Sequence, residues 1–351
     1  MIGWICLSVF LLQLFLAIIL KTAVFFKRDT SLVDQSRPNT ISIVIPFHAE
    51  EKRIMALINS LNNSETNDNF ELLFVNDHST DQTVALITTE LKYPFKILKN
   101  PYTKGKKYAI KWGIENASHE SILTWDADIY FTPDYLSTLK NLQLHDMDIL
   151  PVQMETYSLI GKLGCIEFTY LESLGQGAAA LGKPIIANGA NLLFNKTLFL
   201  KMDQQRNDYG IPSGDDLFLL AAFQNNKAII QHHTNPQLAV TTSAPSNFKA
   251  LIQQRKRWIS KIRSLISASS LLGLFVLISV QITFVIALIY SFINPLFLVL
   301  IGIKILAEII VTTQFLKRDW RHLLILMIHQ VWYPFYCIAL VIPVQKEQRW
   351  E

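Results

Sequence analysis

Three observations predict an α/β domain set among membrane-type helices. Between about Thr40 and Asn247, short apolar strands alternate with helical patterns, the signature of an α/β sheet. Several of those strands end in acidic residues, at the carboxyl ends where open α/β sheets bind ligands. The chain is 50% hydrophobic over 351 residues, and the apolar excess sits at its two ends.

Ile2 to Leu20 carries no charge and is long enough to span a bilayer. Lys21, Lys27 and Arg28 follow it, without a basic n-region or a small-residue cleavage site, so it reads as an uncleaved anchor. Leu265 to Ile293, Pro295 to Leu316 and Leu323 to Val344 are three further apolar runs. The second is broken only by Lys304 and Glu308, which share a helix face and can pair within the membrane. The expected organisation is an anchor over 1–28, a polar α/β domain over 29–247, an interfacial helix over 248–263 and three spans within 264–351. Arg37 follows the first span, Lys249 to Arg263 precede the second, and Lys317, Arg318 and Arg321 separate the last two. Basic loops on one side put the polar domain at the cytoplasmic face of a multi-pass cell-membrane protein. The formal net charge of +4 is this juxtamembrane excess, which suits anionic headgroups and is no nucleic-acid patch. Cys6, Cys165 and Cys337 match no metal or disulfide framework.

Within the polar domain, Ile41–Ile45 is a β-branched strand stopped by Pro46, then Glu50, Glu51 and a helix through Leu61. Leu72–Val75 is the second strand and delivers Asp77, while Ser79, Thr80 or Asp81 can cap the next helix. Phe95–Leu98 is the third. Lys104-Gly105-Lys106-Lys107 opens a helix to about Asn116, either an anion-binding N-terminus or a solvated basic turn. Ile122–Trp125 then ends in Asp126-Ala127-Asp128. If the strand geometry continues, both carboxylates share a face and suit Mg²⁺ or Mn²⁺, which bind one or two carboxylates plus substrate phosphates. One strand is expected over Asp148–Val152, and Ser158–Leu181 reads as a helix lying at the bilayer surface or as core. Asn188-Gly189-Ala190-Asn191 leads into Leu192–Phe194 and suggests a close backbone approach or a turn.

Ser213-Gly214-Asp215-Asp216 precedes an apolar helical run. It can be an N-cap with acidic first-turn residues, or it can hold a carboxylate as general base. For His232 and His233 the sequence favours a structural role over a metal role. Gln254, Arg257 and Trp258 share one helix face and join an amide, a phosphate-binding guanidinium and a stacking indole. Arg255, Lys256, Lys261 and Arg263 read as a membrane-interface belt.

Taken together, these pieces resemble membrane-bound family 2 glycosyltransferases from about Ile41 to Trp258, with the arrangement of apolar segments. Pro46-x-x-x-Glu50 resembles the first-strand motif, with Ala49 where Asn is usual. Asn76-Asp77-x-Ser79-Thr80-Asp81 resembles the nucleotide motif, with Asn76 and His78 in place of Asp and Gly. Gly105-Lys106, Asp126-Ala127-Asp128, Gly214-Asp215-Asp216 and Gln254-x-x-Arg257-Trp258 follow in the family's order. The last is shared by membrane synthases and ceramide glucosyltransferase-like enzymes.

The resemblance implies a GT-A fold, a Rossmann-like mixed sheet that binds a nucleotide sugar, and an inverting mechanism. It assigns Asp216 as catalytic base and Asp126 and Asp128 to a divalent metal. Glu50, Asp77, Lys106, Asp126 and Arg257 fall on the nucleotide sugar; Gln254, Trp258 and Asp215 fall on the acceptor side. The expected donor is a UDP-sugar, and the expected acceptor is a lipid or lipid-linked molecule. A processive polysaccharide synthase and a non-catalytic nucleotide-sugar-binding scaffold are the alternatives.

Overall fold

The computed structural model describes residues 1–27, 39–64, 69–204, 206, 208–209, 214–263, 268–313 and 322–341. Arg28, Arg37, Ser213, Lys317, Arg318 and Arg321, weighed above, lie outside them. The described chain forms two units: one from 39–155 and 184–243, the other from 1–27, 156–183 and 244–341.

The first unit is an α/β layer structure. Its main sheet contains β1 (Ile41–Phe47), β2 (Phe70–Asn76), β3 (Phe95–Lys99), β4 (Ser121–Trp125), β6 (Met147–Ile149), β8 (Asn191–Asn195) and β9 (Ile230–His232). The spatial order is β3-β2-β1-β4-β8-β6-β9. β3, β2, β1 and β4 run parallel, and β8 is antiparallel to both neighbours. Every residue of β1 is buried, as a central strand covered on both faces requires. A smaller sheet orders β5 (Ile129–Phe131), β10 (Val240–Ser243) and β7 (Val152–Glu155).

The strand expected over Asp148–Val152 is in fact two, because Leu150-Pro151 interrupts it. Proline has no N–H for a ladder, and here the chain passes from β6 in the large sheet to β7 in the small one. Helix α4 (Lys106–Glu115) lies on β1 and β2 with Ala109, Ile110 and Ile114 in the core beside Val44, Leu73 and Val75. Gly113 allows that approach, since a Cβ there would run into the Val44 side chain. Other helices of this unit are α2 (Ile54–Asn63), α3 (Thr83–Glu90), α5 (Tyr135–Lys140), α7 (Lys196–Asp203) and α8 (Asp215–Asn225).

The second unit is helical: α1 (Ile2–Phe26), α6 (Leu159–Ala180), α9 (Phe248–Arg263), α10 (Ala268–Ser291), α11 (Leu296–Val311) and α12 (His322–Val341). Ser158–Leu181, undecided from sequence, is therefore the helix α6 with Ser158 as its N-cap, accepting from the Gly161 N–H at 2.9 Å. Helix α1 is apolar all round. Cys6, Phe10 and Ala17 are buried, with Cys6 and Phe10 packed beside Phe284, Phe297 and Ile301, whereas Trp4, Phe15 and Phe25 are exposed. Its 25 residues are long and apolar enough to cross a membrane.

Among the described residues α1 alone meets that test, so the three C-terminal spans and the multi-pass topology are not supported. The apolar part of α10 is Phe275–Ser291. Helix α11 has 16 residues, and α12 carries His322, His329 and Gln330. Lys304 and Glu308 do pair, at 2.6 Å, and Gln330 joins them.

Candidate active site

The parallel strands set the site. In register, β1 ends beside β2 at Phe47 and Asn76, and Val44 pairs Thr124 of β4. The turns that follow present Glu50, Asp77, Asp126 and Asp128 at the carboxyl ends of β1, β2 and β4. Two of these turns hold left-handed residues: Ala49 at φ 54° and His78 at φ 60°. These are two of the positions where the sequence departs from its family pattern. A Cβ-bearing residue costs roughly 1–2 kcal/mol in this region, and Asn tolerates it best. Ala49→Asn is therefore expected to stabilise the protein by about 1 kcal/mol, read as a higher midpoint in denaturant; an unchanged or lower midpoint contradicts the strain.

Asp77 is fully buried, and both carboxylate oxygens are engaged. One accepts from Asn100 Nδ2 at 2.6 Å, the other from the Gly105 N–H at 2.8 Å. Asp77 thus fixes the loop that opens α4. Glu50 is held by Arg53 at 2.7 Å, and Arg53 also reaches Asp128 at 3.3 Å. Arg53 was not singled out from sequence. Its signal was its place three residues after Glu50, where one helical turn returns a side chain to the same face.

Lys106, on the first turn of α4, donates to Asp126 Oδ1 at 2.5 Å and lies 3.9 Å from Asp215 Oδ2. It joins the Asp-x-Asp turn to the acidic first turn of α8. Gly214 caps α8 in the left-handed conformation at φ 90°. Asp215 and Asp216 then sit where the helix dipole favours negative charge, and Asp216 Oδ1 accepts from the Leu217 N–H at 2.8 Å. Gly189 supplies the close approach foreseen for Asn188–Asn191: an added Cβ would sit 3.0 Å from Asp215 Oδ2 and 3.8 Å from Lys106 Nζ. Thr124 Oγ1 donates to Gly189 O at 3.1 Å and holds that backbone against β4.

The cluster's protonation follows from its crowding. Burial would lower the pKa of the Lys106 ammonium, but Asp126, Asp215 and Asp216 outweigh it and hold it above its usual value. Burial, then the charge on Asp126, raises the Asp128 carboxyl. Burial raises Glu50 to about 7, and Asp128 and Asp126 add to the rise while Arg53 opposes it. Asp126 and Asp128 are hard oxygen donors, and their mutual repulsion is what a divalent cation would offset, so the pair fits Mg²⁺ or Mn²⁺.

This predicts a pH dependence. Glu50 binds more protons folded than unfolded between pH 4.5 and about 7. Its contribution to stability is therefore present below that window and is lost as pH rises through it. Stabilisation by Mn²⁺ is expected to be larger at about pH 8, with the carboxyls ionised, than at about pH 5. Equal thermal shifts at both pH values would contradict this.

Gln254, Arg257 and Trp258 lie on α9, in the helical unit. Their neighbour Arg255 does not behave as an interface residue. It is 2% exposed, donates to Glu167 Oε2 at 2.7 Å and to Gly164 O at 3.0 Å. Its guanidinium also bonds Gln254 Oε1 and lies 4.1 Å from the Trp258 ring. The belt expected from charge alone fails at Arg255 because the buried Glu167 of α6 faces it. Removing one member of a buried pair costs about 3–5 kcal/mol. Arg255→Met is expected to destabilise by about that amount, and Arg255→Met with Glu167→Leu to recover much of it. Calorimetry of both variants checks this; a double variant no better than the single one contradicts it.

Known proteins resemble this chain in sequence and in fold. The chain is 30% identical over 145 residues to a dolichol-phosphate mannosyltransferase of Pyrococcus furiosus, covering 41% of this chain and 40% of that protein. It is 26% identical over 239 residues to a dolichyl N-acetyl-alpha-D-glucosaminyl phosphate 3-beta-D-2,3-diacetamido-2,3-dideoxy-beta-D-glucuronosyltransferase of Methanococcus voltae, covering 62% and 70%. The chain thus spans two fifths of the first relative's length. A mannosyltransferase of Pyrobaculum calidifontis, solved with GDP-Man and Mn²⁺, shares the fold with a TM-score of 0.57 at 15% identity, over 95% of this chain and 99% of that one. The family model "Glycosyl transferase family 2" matches residues 42–157. The model "Glycosyl transferase family group 2" matches residues 121–342, more than half of the chain, and the protein belongs to this glycosyltransferase family.

Proposed function

We propose that the protein transfers a sugar, with inversion, from a nucleotide sugar to a lipid or lipid-linked acceptor at the membrane. The observation that carries this is the Lys106 contact to Asp126 and its approach to Asp215, which gathers the Asp-x-Asp turn and the acidic turn of α8 into one cluster. The two relatives whose names contain dolichol or dolichyl phosphate support a lipid-linked acceptor. The apolar helix α1 supports attachment to the membrane, with the α/β unit on the cytoplasmic side where the basic residues after the anchor belong.

Asp216 takes the proton from the acceptor hydroxyl. The freed oxygen forms its bond to the anomeric carbon from the side opposite the diphosphate. The bond from that carbon to the diphosphate oxygen breaks, and the nucleoside diphosphate leaves with the electron pair. Asp126 and Asp128 would hold a divalent cation, which would supply positive charge to the diphosphate. Lys106 adds a fixed ammonium at the same turn, and the family resemblance assigns the Arg257 guanidinium to phosphate oxygens. Glu50 holds the nucleoside. Asp77 holds it through the loop of Asn100 and Gly105. The same resemblance assigns Trp258, Gln254 and Asp215 to the acceptor.

UDP-sugars are the first donors to test, with GDP-sugars beside them because the Pyrobaculum mannosyltransferase was solved with GDP-Man. Purified protein in native lipid extract is expected to release nucleoside diphosphate from one donor only, and only with Mg²⁺ or Mn²⁺. Intact nucleotide binding without release from any donor would favour a binding scaffold and contradict this reading.

A further inference from the structure

We propose that His145, Asp148 and His233 form a Zn²⁺ site in the α/β unit, separate from the Asp126–Asp128 pair. Asp148 is the middle residue of β6. Its neighbours Met147 and Ile149 join the core that packs on α4, so Asp148 faces the other side of the sheet. His145 lies in the loop that leads into β6, and His233 follows the end of β9, the neighbouring edge strand. Two imidazoles from separate segments converge on one carboxylate oxygen. His145 Nδ1 and His233 Nε2 each lie 2.7 Å from Asp148 Oδ1. The three donor atoms fall within 4.8 Å of one another.

The chemistry of the set selects the ion. Two imidazole nitrogens and one carboxylate oxygen match zinc sites with three protein ligands, which leave a fourth position for water. Imidazole suits Zn²⁺, whereas the all-oxygen pair at Asp126 and Asp128 suits Mg²⁺ or Mn²⁺. Asp148 and His233 are buried, while the His145 side chain is 22% exposed and opens the site to solvent on one side. The remaining carboxylate oxygen is already fixed, accepting the His145 N–H at 2.8 Å, and this aims Oδ1 at the two rings. Strands β6 and β9 each have three residues, so their pairing has few ladder bonds. An ion held by one residue of β6, one from the loop before it and one just past β9 would staple the edge of the sheet.

The competing arrangement is a trio of hydrogen bonds with both rings donating to Asp148. The test uses tag-free full-length protein, stripped with a chelator and titrated with Co²⁺. The wild type is expected to take up one Co²⁺ with the visible absorption of a tetrahedral site, displaced by stoichiometric Zn²⁺. His145→Gln keeps a donor for Asp148 and avoids the buried His233, yet removes a ligand. It is expected to lose that absorption and to bind Zn²⁺ at least about tenfold more weakly. Asp128→Ala is expected to keep the absorption. No tetrahedral absorption in the wild type, its persistence in His145→Gln, or its loss in Asp128→Ala would each overturn the proposal.

Discussion

Asp216→Asn is expected to lower sugar transfer by about 10²–10⁴-fold, the usual contribution of a positioned general base. The amide keeps the shape of the first turn of α8 and can still accept from the Leu217 N–H, so the helix start is preserved. It cannot take a proton from the acceptor. Donor affinity, measured by calorimetry with a nucleotide sugar and Mn²⁺, should stay within a few-fold of the wild type. A large loss of donor affinity would instead make Asp216 a binding residue. Lys106 offers a second check: with Asp215 and Asp126 it keeps two carboxylate partners, so its place should not depend on Asp216 ionisation.

Asp128→Ala acts on the other half of the cluster. It removes one of two carboxylates offered to the divalent ion and one of the two partners of Arg53. Metal-dependent donor binding should fall by about 10–100-fold or more, while nucleotide binding without metal changes little. Arg53 retains Glu50 at 2.7 Å, so the turn should keep its form. A variant with undiminished dependence on Mn²⁺ or Mg²⁺ would remove Asp128 from the metal assignment.

Much of this site was legible in the sequence because strand ends announce themselves. Runs such as Ile41–Ile45 and Ile122–Trp125 are mostly apolar, interrupted only by Ser42 and Thr124, and a carboxylate follows each within five positions. Linking those turns to Asp215 needed the fold, since Lys106 and Asp215 lie far apart in the chain but 3.9 Å apart in space. Gly189 was visible only as a close approach of unstated target. Asp77 was legible as a strand-end carboxylate; that both its oxygens would be spent on Asn100 and Gly105 was not.

The misread segments have physical causes. Pro151 lies in an apolar run that reads as one strand, but its missing N–H marks a change of sheet. Arg255 has the composition of a headgroup-facing residue, and only the tertiary position of Glu167 makes it a buried partner. The C-terminal apolar runs pass a count of uncharged residues, yet α11 ends at 16 residues and turns Lys304 and Glu308 inward. His233 reads as structural beside a short strand, and its 2.7 Å contact with Asp148 comes from the pairing of β9 with β6, which the sequence does not show.

The most direct test of inverting transfer is the anomeric configuration of the product. An α-linked, isotope-labelled nucleotide sugar would be incubated with the protein, Mn²⁺ and native lipid extract, and the organic phase analysed by NMR. A single displacement predicts label in a lipid product with a β linkage, absent with Asp216→Asn. An α-linked product would contradict a single displacement with Asp216 as its base.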